Sequence, residues 1–550
     1  MWTVLGLVIP APAGAEAPPG ASDIASRQFT TPQGGSLSLS LDEAVARALE
    51  NNVDIAVERF NPELSQQDVL GALGYYDPFL FANLSRTSTD TKASNAFAGG
   101  DVVNTKRNVW NFGLGIPIQT GADFSLNFNN NKSDSNNQFT SFNPTYNSSL
   151  SLGVTQPLLK NFRIDGPRRQ LRLAKKSREI SDVQFRQSIV NTVAVVKGYY
   201  YELLYAIDNL AAAQKNLQLA KKLLDENEIR VKVGTMAPLD VVTAQSEVAS
   251  REEGVIVAEN ALAESEDNLK RVIFPENDPL MWRTRITPTD RPSAEPMPVD
   301  VEAAVQNALA NRTDMVAARK NLERADISLE YARNQLKPQL DLVANYGGAG
   351  LGGTQLIREP PFGGPVVDTI PGGYGDAVSE VFGFDFPTWT IGVNLSYAIP
   401  NRSAKASAAS ARLGKDQTLV AFRRLELQVA AEVRTAARGV ESGFKRVAST
   451  QAARRLAAER LDAEEKKFAA GMTTNFLVTQ AQRDLAQAEV NDLRAIADYR
   501  KSVINFQRVQ EAGVGGSGAV AVLSSGGSSA QGGQALRSGA AAGSTQNSQF

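Results

Sequence analysis

Apolar residues recur at every seventh place through a stretch much longer than an ordinary globular helix. Val196, Leu203, Leu210, Leu217, Leu224 and Val231 hold one register, and Ala206, Ala213 and Ala220 stand three places on from members of that series. A sustained seven-residue repeat winds helices into a left-handed supercoil, and small residues at the second seam position let backbones approach closely. The spacing predicts a helix over 167–232, on the order of 100 Å long at 1.5 Å per residue. It ends at Val231-Lys-Val-Gly-Thr-Met-Ala-Pro-Leu-Asp240. Gly234 stands where a helix C-terminus wants φ > 0, and Pro238 where the next helix takes its first residue. Asp240 follows where a carboxylate complements the helix dipole. After a turn at 233–237, a return helix over 238–272 keeps the period through Val241, Val248, Val255, Leu262 and Leu269.

The device returns 237 residues later. Val433, Val440, Val447, Arg454, Leu461 and Phe468 fall on the first seam, with Ala436, Gly443, Thr450 and Ala457 three places on. Gly471 falls on Gly234, and the return register runs through Val478, Leu485, Asp492, Tyr499 and Phe506. This predicts a helix over 404–469, a turn at 470–474 and a helix over 475–511. Upstream, Ala44-Val45, Ala48-Leu49, Asn51 and Asp54 recur as Ala304-Val305, Ala308-Leu309, Asn311 and Asp314. The pattern reads as a tandem duplication, 41–274 and 301–511, joined by a proline-rich linker at 275–300. Each copy opens with a helix, over 41–73 and over 301–336. In each, the opening and return helices together match the long helix in length, so two short helices can lie end to end along one long one. A single chain built this way leaves apolar seam exposed and is expected to oligomerise.

Strands separate the opening helix from the long one, at 78–158 and 338–399. Trp110, Phe112, Leu114, Ile116 and Ile118 alternate with Asn111, Gly113 and Gly115; Phe124, Leu126 and Phe128 with Ser125, Asn127 and Asn129; Leu150, Leu152 and Val154 with Ser149, Ser151 and Gly153. A weaker strand covers Phe79 to Arg86. In the second copy Leu340, Leu342, Ala344 and Tyr346 form one strand and Trp389 to Ile399 another, with a Gly/Pro-rich loop over 347–386 between them. One apolar face against one Asn/Ser/Gly face suits a barrel with lipid outside and water inside, and suits a soluble sandwich as well. Long Asn/Ser-rich connections at 87–107 and 130–145 against the tight Gln119-Thr-Gly121 turn match the loop asymmetry of outer-membrane barrels.

The chain has neither Cys nor His, which removes disulfides, thiol nucleophiles, Ser-His-Asp triads and the usual zinc sets. No cofactor or metal site is expected, and no carboxylate pair stands where a hydrolase needs one. A net charge of −2 gives no reason to expect nucleic acid. Residues 1–15 read as a signal peptide lacking its basic start, 16–40 as an extended lead-in, and 512–550 as a disordered Gly/Ser/Ala tail. No run reaches the roughly 18 apolar residues of a spanning helix, so any membrane crossing would use strands.

Leu41-Asp-Glu-Ala-Val-Ala-Arg-Ala-Leu49, Leu152-Gly-Val-Thr-Gln-Pro-Leu-Leu159, and Val233-Gly-Thr-Met-Ala-Pro-Leu-Asp240 with its partner at 470–477 together resemble the TolC family of outer-membrane efflux proteins. The resemblance covers about 41–511. It implies a mixed α and β membrane protein, a homotrimer whose strands close one barrel among outer-membrane lipid and whose helices form a coiled-coil tunnel through the periplasm. It implies a non-enzymatic exit duct for efflux or type I secretion, with a periplasmic adaptor and an inner-membrane pump of the RND, ABC or MFS type. It carries adaptor docking onto Val233, Gly234, Thr235, Ala470, Gly471 and Met472. Asp240 would form a cation-binding ring at a periplasmic gate, or serve only the helix dipole. Members with an acidic latch carry it beyond the second turn, where this chain has Leu477 and Gln480, with Thr473 in place of a common Arg. The preferred strand count is 12 per trimer, with the hairpin around Thr120-Gly121 an accessory or an extension of two long bent strands; the alternative is 18. Arg168, Arg169, Arg172, Lys175, Lys176 and Arg178 read as a solvated helix face or one near anionic headgroups. Trp110, Tyr146, Trp389 and Tyr397 read as interface aromatics or ordinary strand packing. The rival reading is a non-transporting, periplasm-spanning coiled coil with an adhesive β head.

Overall fold

The computed structural model describes residues 35–513 apart from 94–100, 276–277, 279–280, 292–293 and 360–363. The expected signal segment, the lead-in up to residue 34 and the tail from residue 514 lie outside the described residues.

The first described element is a short strand, β1 (Ser36–Leu39). Two helices follow where one was expected, α1 (Leu41–Asn51) and α2 (Val53–Leu73). Asn52 breaks them. Its backbone is extended (ψ 122°), its side chain accepts from the Ile55 N–H, and its amide lies 3.4 Å from the Val272 carbonyl. An Asn that can cap a new helix outcompetes continuation of the old one. Then come four strands, β2 (Phe79–Lys92), β3 (Val102–Pro117), β4 (Asp123–Ser135) and β5 (Phe142–Pro157). The long helix α3 (Gly166–Lys232) is capped by Asp165, and α4 (Pro238–Ile273) opens on its proline.

Within the linker that precedes the second half lies β6 (Arg285–Pro288), which pairs in parallel with β1. This small sheet was not foreseen in either the lead-in or the linker. The opening helix is again two, α5 (Val301–Asn311) and α6 (Thr313–Asn334), divided at the extended Arg312. Arg312 is almost fully buried and its guanidinium meets Glu432 at 2.5 Å. Strand β7 (Gln339–Arg358) follows. The expected loop over 347–386 instead contains the end of β7, a strand β8 (Val366–Ile370) and a helix α7 (Tyr374–Gly383). Then come β9 (Pro387–Ser396), α8 (Arg402–Ala469) and α9 (Asn475–Glu511).

The helices form one layer. Next to the strands, α2, α3, α6 and α8 lie side by side; at the far end the row is α4, α3, α9, α8. Thus α2 and α4 share α3 as a partner, and α6 and α9 share α8. The seam residues Val196, Leu203, Val433, Val440, Val447, Leu461 and Phe468 are buried. Midway along α3, Leu37, Leu39 and Ile286 of the small sheet close over Val196, Tyr200, Leu203 and Leu269. The Tyr200 hydroxyl donates to the Leu39 carbonyl (3.0 Å), and the Tyr499 hydroxyl makes the counterpart bond to the Glu295 carbonyl (2.7 Å). Truncating either ring to Ala removes a buried aromatic, a loss of about 3–5 kcal/mol.

The strands form one antiparallel sheet in the order β2-β3-β4-β5-β7-β9, with β8 on the upper end of β7. The hairpin turned at Gly121 (φ +87°) is therefore not an accessory: β3 pairs with β2 on one side and β4 on the other, and β4 pairs with β5. The alternation on either side of the turn made full strands because the residues of 102–117 and 123–135 find ladder partners. Register aligns the apolar positions on one face across all six strands. Leu84, Trp110 and, one pair along, Phe112, Phe128, Leu150 lead across to Tyr346 and Trp389. Many of them are exposed, Leu84 at 72% and Ile391 at 69%. The opposite face carries Asn83, Asn111, Asn127, Ser151, Asn345 and Thr390, with Phe79 and Phe81 of β2 lying over Gly115 and Gly113.

Helix α7 lies on the apolar face. Gly348, Gly350 and Gly352 of β7 lie beneath it, and a Cβ at 350 would run into the Ala377 carbonyl. Tyr374 packs on Trp110 and Tyr146 (ring centroids 5.3 and 6.1 Å) and donates to Asn130 at 3.0 Å. Two of the four expected interface aromatics are thus packing partners of α7, whereas Trp389 and Tyr397 remain exposed.

Candidate functional site

At the end farthest from the sheet, the two hairpin turns come together. Each ends its long helix with the same backbone motif. Gly234 takes φ +77°, its N–H donates to the Val231 carbonyl (3.0 Å), and the Thr235 N–H donates to the Arg230 carbonyl (2.9 Å). Gly471 takes φ +74°, with bonds from Gly471 to Phe468 (3.1 Å) and from Met472 to Lys467 (2.8 Å). This 6→1 and 5→2 pairing satisfies carbonyls that a helix end otherwise strands. A Cβ at either glycine would meet nothing within 4 Å, so only the left-handed backbone demands glycine. Around them Val233, Gly234, Thr235, Ala470, Gly471 and Met472 are all exposed, Val233 at 68% and Met472 at 77%. The six residues expected to form the tips are thus each exposed.

Polar side chains behind the turns join the two hairpins. The Asn227 amide donates to Asn475 Oδ1 at 3.0 Å in a buried contact, and Asn475 Nδ2 lies 3.5 Å from the Asp240 carbonyl. Arg230 donates to the Phe468 carbonyl (3.2 Å) and stacks on the Phe468 ring, 4.1 Å from its centroid. Beneath, Leu223, Leu461, Phe468, Val478, Ala481 and Leu485 make a common apolar cluster with Met236 against it. One turn higher, Glu247 of α4 meets Arg483 of α9 at 2.6 Å and Arg251 at 2.7 Å. Burial pushes the Glu247 carboxyl up, but the guanidiniums of Arg483 and Arg251 outweigh burial and hold it below the usual carboxylate range.

Asp240 sits in the first turn of α4, half-buried, with no cationic partner among the described residues. Thr473 donates to Glu464 (3.0 Å), Leu477 is exposed, and Gln480 bonds Asp484 (2.8 Å). Asn227, Arg230, Glu247, Asn475 and Arg483 were missed in the sequence. Asn475 alone carried a signal, since it lies inside the second turn motif. Glu247 and Arg483 are 236 places apart, and nothing local pairs them.

Of the basic run at the start of α3, Arg168 binds Asp165, Arg172 binds Glu330, Lys176 binds Glu179 and Glu323, and Arg178 meets Asp182 at 3.9 Å. Arg169 instead stacks over Tyr331, 5.0 Å from the ring centroid. Among the described residues no helix is long and apolar enough to cross a membrane.

Residues 122–273 and 304–509 match the family model described as outer membrane efflux protein. Over 340 residues the chain is 25% identical to the outer membrane protein TolC of Vibrio cholerae, a match covering 61% of this chain and 70% of that protein. It is also 25% identical over 269 residues to TolC of Escherichia coli, covering 48% of this chain and 50% of the relative. Among solved structures it resembles the outer-membrane channel OprN (TM-score 0.60, 17% identity, 86% of this chain and 90% of that one). It also resembles CusC (TM-score 0.62, 14% identity, 89% of this chain and 96% of that one).

Proposed function

The chain belongs to the outer membrane efflux protein family, whose members are channels of the outer membrane, and from that premise we propose that it is a passive exit duct working with a periplasmic adaptor and an inner-membrane pump. The observation that carries this reading is the open sheet. Six strands of 10 to 20 residues present one apolar and one polar face, and among the described residues β2 forms one edge and β9, with the short β8 beyond its end, the other. Strands of roughly 9–11 residues suffice to cross a bilayer, and unpaired edges in lipid are intolerable, so such a sheet needs closure. Three copies joined β9 to β2 give one barrel of eighteen strands, lipid outside and water inside.

The helical layer supports the same closure. The edge helices α2 and α8 carry exposed apolar residues at coiled-coil spacing: Val57, Phe60 and Leu64 on one, Leu413, Val420 and Leu427 on the other. Lower down, α4 exposes Val242, Ile256 and Val257, and α8 exposes Leu456. A head-to-tail contact of α8 with the α2 and α4 of the next copy closes a ring at threefold rotation. Repeat-related halves, 41–274 and 301–511, then supply two turns each time around, six turns in all. The tips Val233, Gly234, Thr235, Ala470, Gly471 and Met472 are the adaptor's docking surface in this reading, and the length of α3 spans about 100 Å of periplasm.

Conductance of the purified protein in planar bilayers tests the duct. Discrete steps from trimers are expected. Trimers that insert without conducting would favour the adhesive coiled coil instead. A strand count of twelve in an experimental map would overturn the eighteen-strand barrel while leaving the duct standing.

A further inference from the structure

Below the sheet, residues of α6 and of the first turns of α8 border a cavity of about 630 Å³. Lys160, Arg169 and Lys337 line it, and no carboxylate does. None of the three has an acidic partner among the described residues, although most of Arg169's basic neighbours on α3 are paired. The Arg169 Nε is buried without an acceptor, and its guanidinium lies over the Tyr331 ring, 5.0 Å from the centroid. Lys160 and Arg169 are half-buried and Lys337 is exposed, and like charges gathered without a counter-charge repel one another unless something anionic offsets them.

A second, independent source of positive potential enters the same space. Helix α8, 68 residues long, begins there: Asn401, Ser403 and Ser407 are part of the lining. Asn401 sits at φ +58° in the left-handed region, and its side chain makes no capping bond. The first N–H groups of α8 are therefore left without a side-chain cap, at the positive end of a long helix dipole. Free N–H groups, serine hydroxyls, one guanidinium and two ammoniums form the donor set that a tetrahedral oxyanion uses.

We propose that this cavity is an anion site that takes a phosphate group. The group could be carried by a lipid headgroup or by a water-soluble phosphorylated solute. Gln339 and Ser396, a facing pair on the polar side of the sheet, also line it, which favours entry from water. The site does not rest on the duct reading, since binding is measured without transport.

Calorimetric titration of the detergent-purified full chain with glycerol 3-phosphate, and separately with dihexanoyl phosphatidylglycerol, tests it. Saturable binding is expected that weakens at least tenfold in Arg169→Gln and in the Lys160→Gln/Lys337→Gln double variant. Arg169→Lys should keep part of it, and Lys175→Gln, on the exposed side of α3, all of it. Raising salt from about 50 to 500 mM should weaken binding as screening grows. Tenfold tighter binding of the lipid than of glycerol phosphate assigns the lipid source; equal binding assigns the soluble one. Circular dichroism and light scattering confirm that each variant keeps fold and assembly. Absence of binding by the wild-type protein overturns the proposal, including the case of a neighbouring copy sealing the cavity. So does binding that Arg169→Gln and the double lysine variant leave unchanged.

Discussion

The return helices α4 and α9 occupy corresponding places 237 residues apart, yet their surroundings differ. Helix α9 lies between α8 and α3, and residues around its circumference are buried: Val478, Leu485, Ala486, Ala495, Ala497, Tyr499 and Phe506 among them. Helix α4 touches α3 on one flank and buries little beyond Ala244, Val248, Ala258 and the stretch from Leu269 to Ile273. One return helix is covered within the chain, and the other leaves Val242, Ile256 and Val257 exposed. Two stretches can share one register while packing against different neighbours.

The largest test of that difference is at the edge. Ile256→Asp with Val257→Asp on α4 places two charges where the neighbouring α8 is proposed to pack. The trimer should dissociate by light scattering while helical content by circular dichroism stays within a tenth, since neither residue touches the chain's own core. A trimer that survives would show that α4 faces solvent and that closure runs elsewhere.

The second contrast is chemical. Leu217 and Val255 hold seam positions in the first copy; the corresponding positions are Arg454 and Asp492 in the second. Asp492 is 1% exposed, and Arg454 reaches it at 3.1 Å with Thr450 donating at 3.3 Å. Breaking such a pair strands a buried charge, whereas replacing both members with apolar groups is often neutral. Arg454→Leu should therefore cost about 2–3 kcal/mol, less than a fully buried pair because Arg454 is half-exposed and Thr450 remains. Arg454→Leu/Asp492→Val, which copies the first seam, should return to within about 1 kcal/mol of wild type. Denaturant midpoints at constant slope check both. A double variant as unstable as the single would mean that the seams are not interchangeable.

The tips are joined by Glu247 and Arg483, one ion pair between the two return helices. The Glu247 carboxyl is held below its ordinary value, so its contribution is complete above about pH 4.3 and is lost as pH falls through the depressed folded value. Glu247→Gln should cost about 1 kcal/mol at pH 7 and flatten the acid limb of the stability curve. An unchanged acid limb would place the acid-sensitive group elsewhere.

Much of this architecture was legible because its signals are periodic or stereochemical. The heptads gave the long helices, and φ > 0 at Gly234 and Gly471 gave the turns. The breaks at Asn52 and Arg312 were not legible, because both depend on partners far along the chain, Val272 for one and Glu432 for the other. Helix α7 was hidden because a ten-residue amphipathic segment between glycines reads as loop; only the facing glycines of β7 make room for it. The place of the hairpin around Thr120-Gly121 was hidden for a related reason. Alternation identified β3 and β4, but whether a hairpin lies inside a sheet is decided by its ladder partners.

The two turn glycines offer the finest comparison. Both have open space where a Cβ would go, so Gly234→Ala and Gly471→Ala should each cost only about 1 kcal/mol of backbone strain. Their neighbours differ more than they do. Asp240 adds a carboxylate to the first turn of α4, and α9 has no acidic residue in its first turn. If that carboxylate serves only the α4 dipole, Asp240→Asn lowers stability by about 0.3–1 kcal/mol and leaves conductance alone. If three copies line a constriction, divalent-cation block of single-channel current weakens in Asp240→Asn while the same block persists in Leu477→Gln on the other tip. Equal block in wild type and both variants would assign Asp240 to the dipole and leave the gate to the uncharged surface around Gly234 and Gly471.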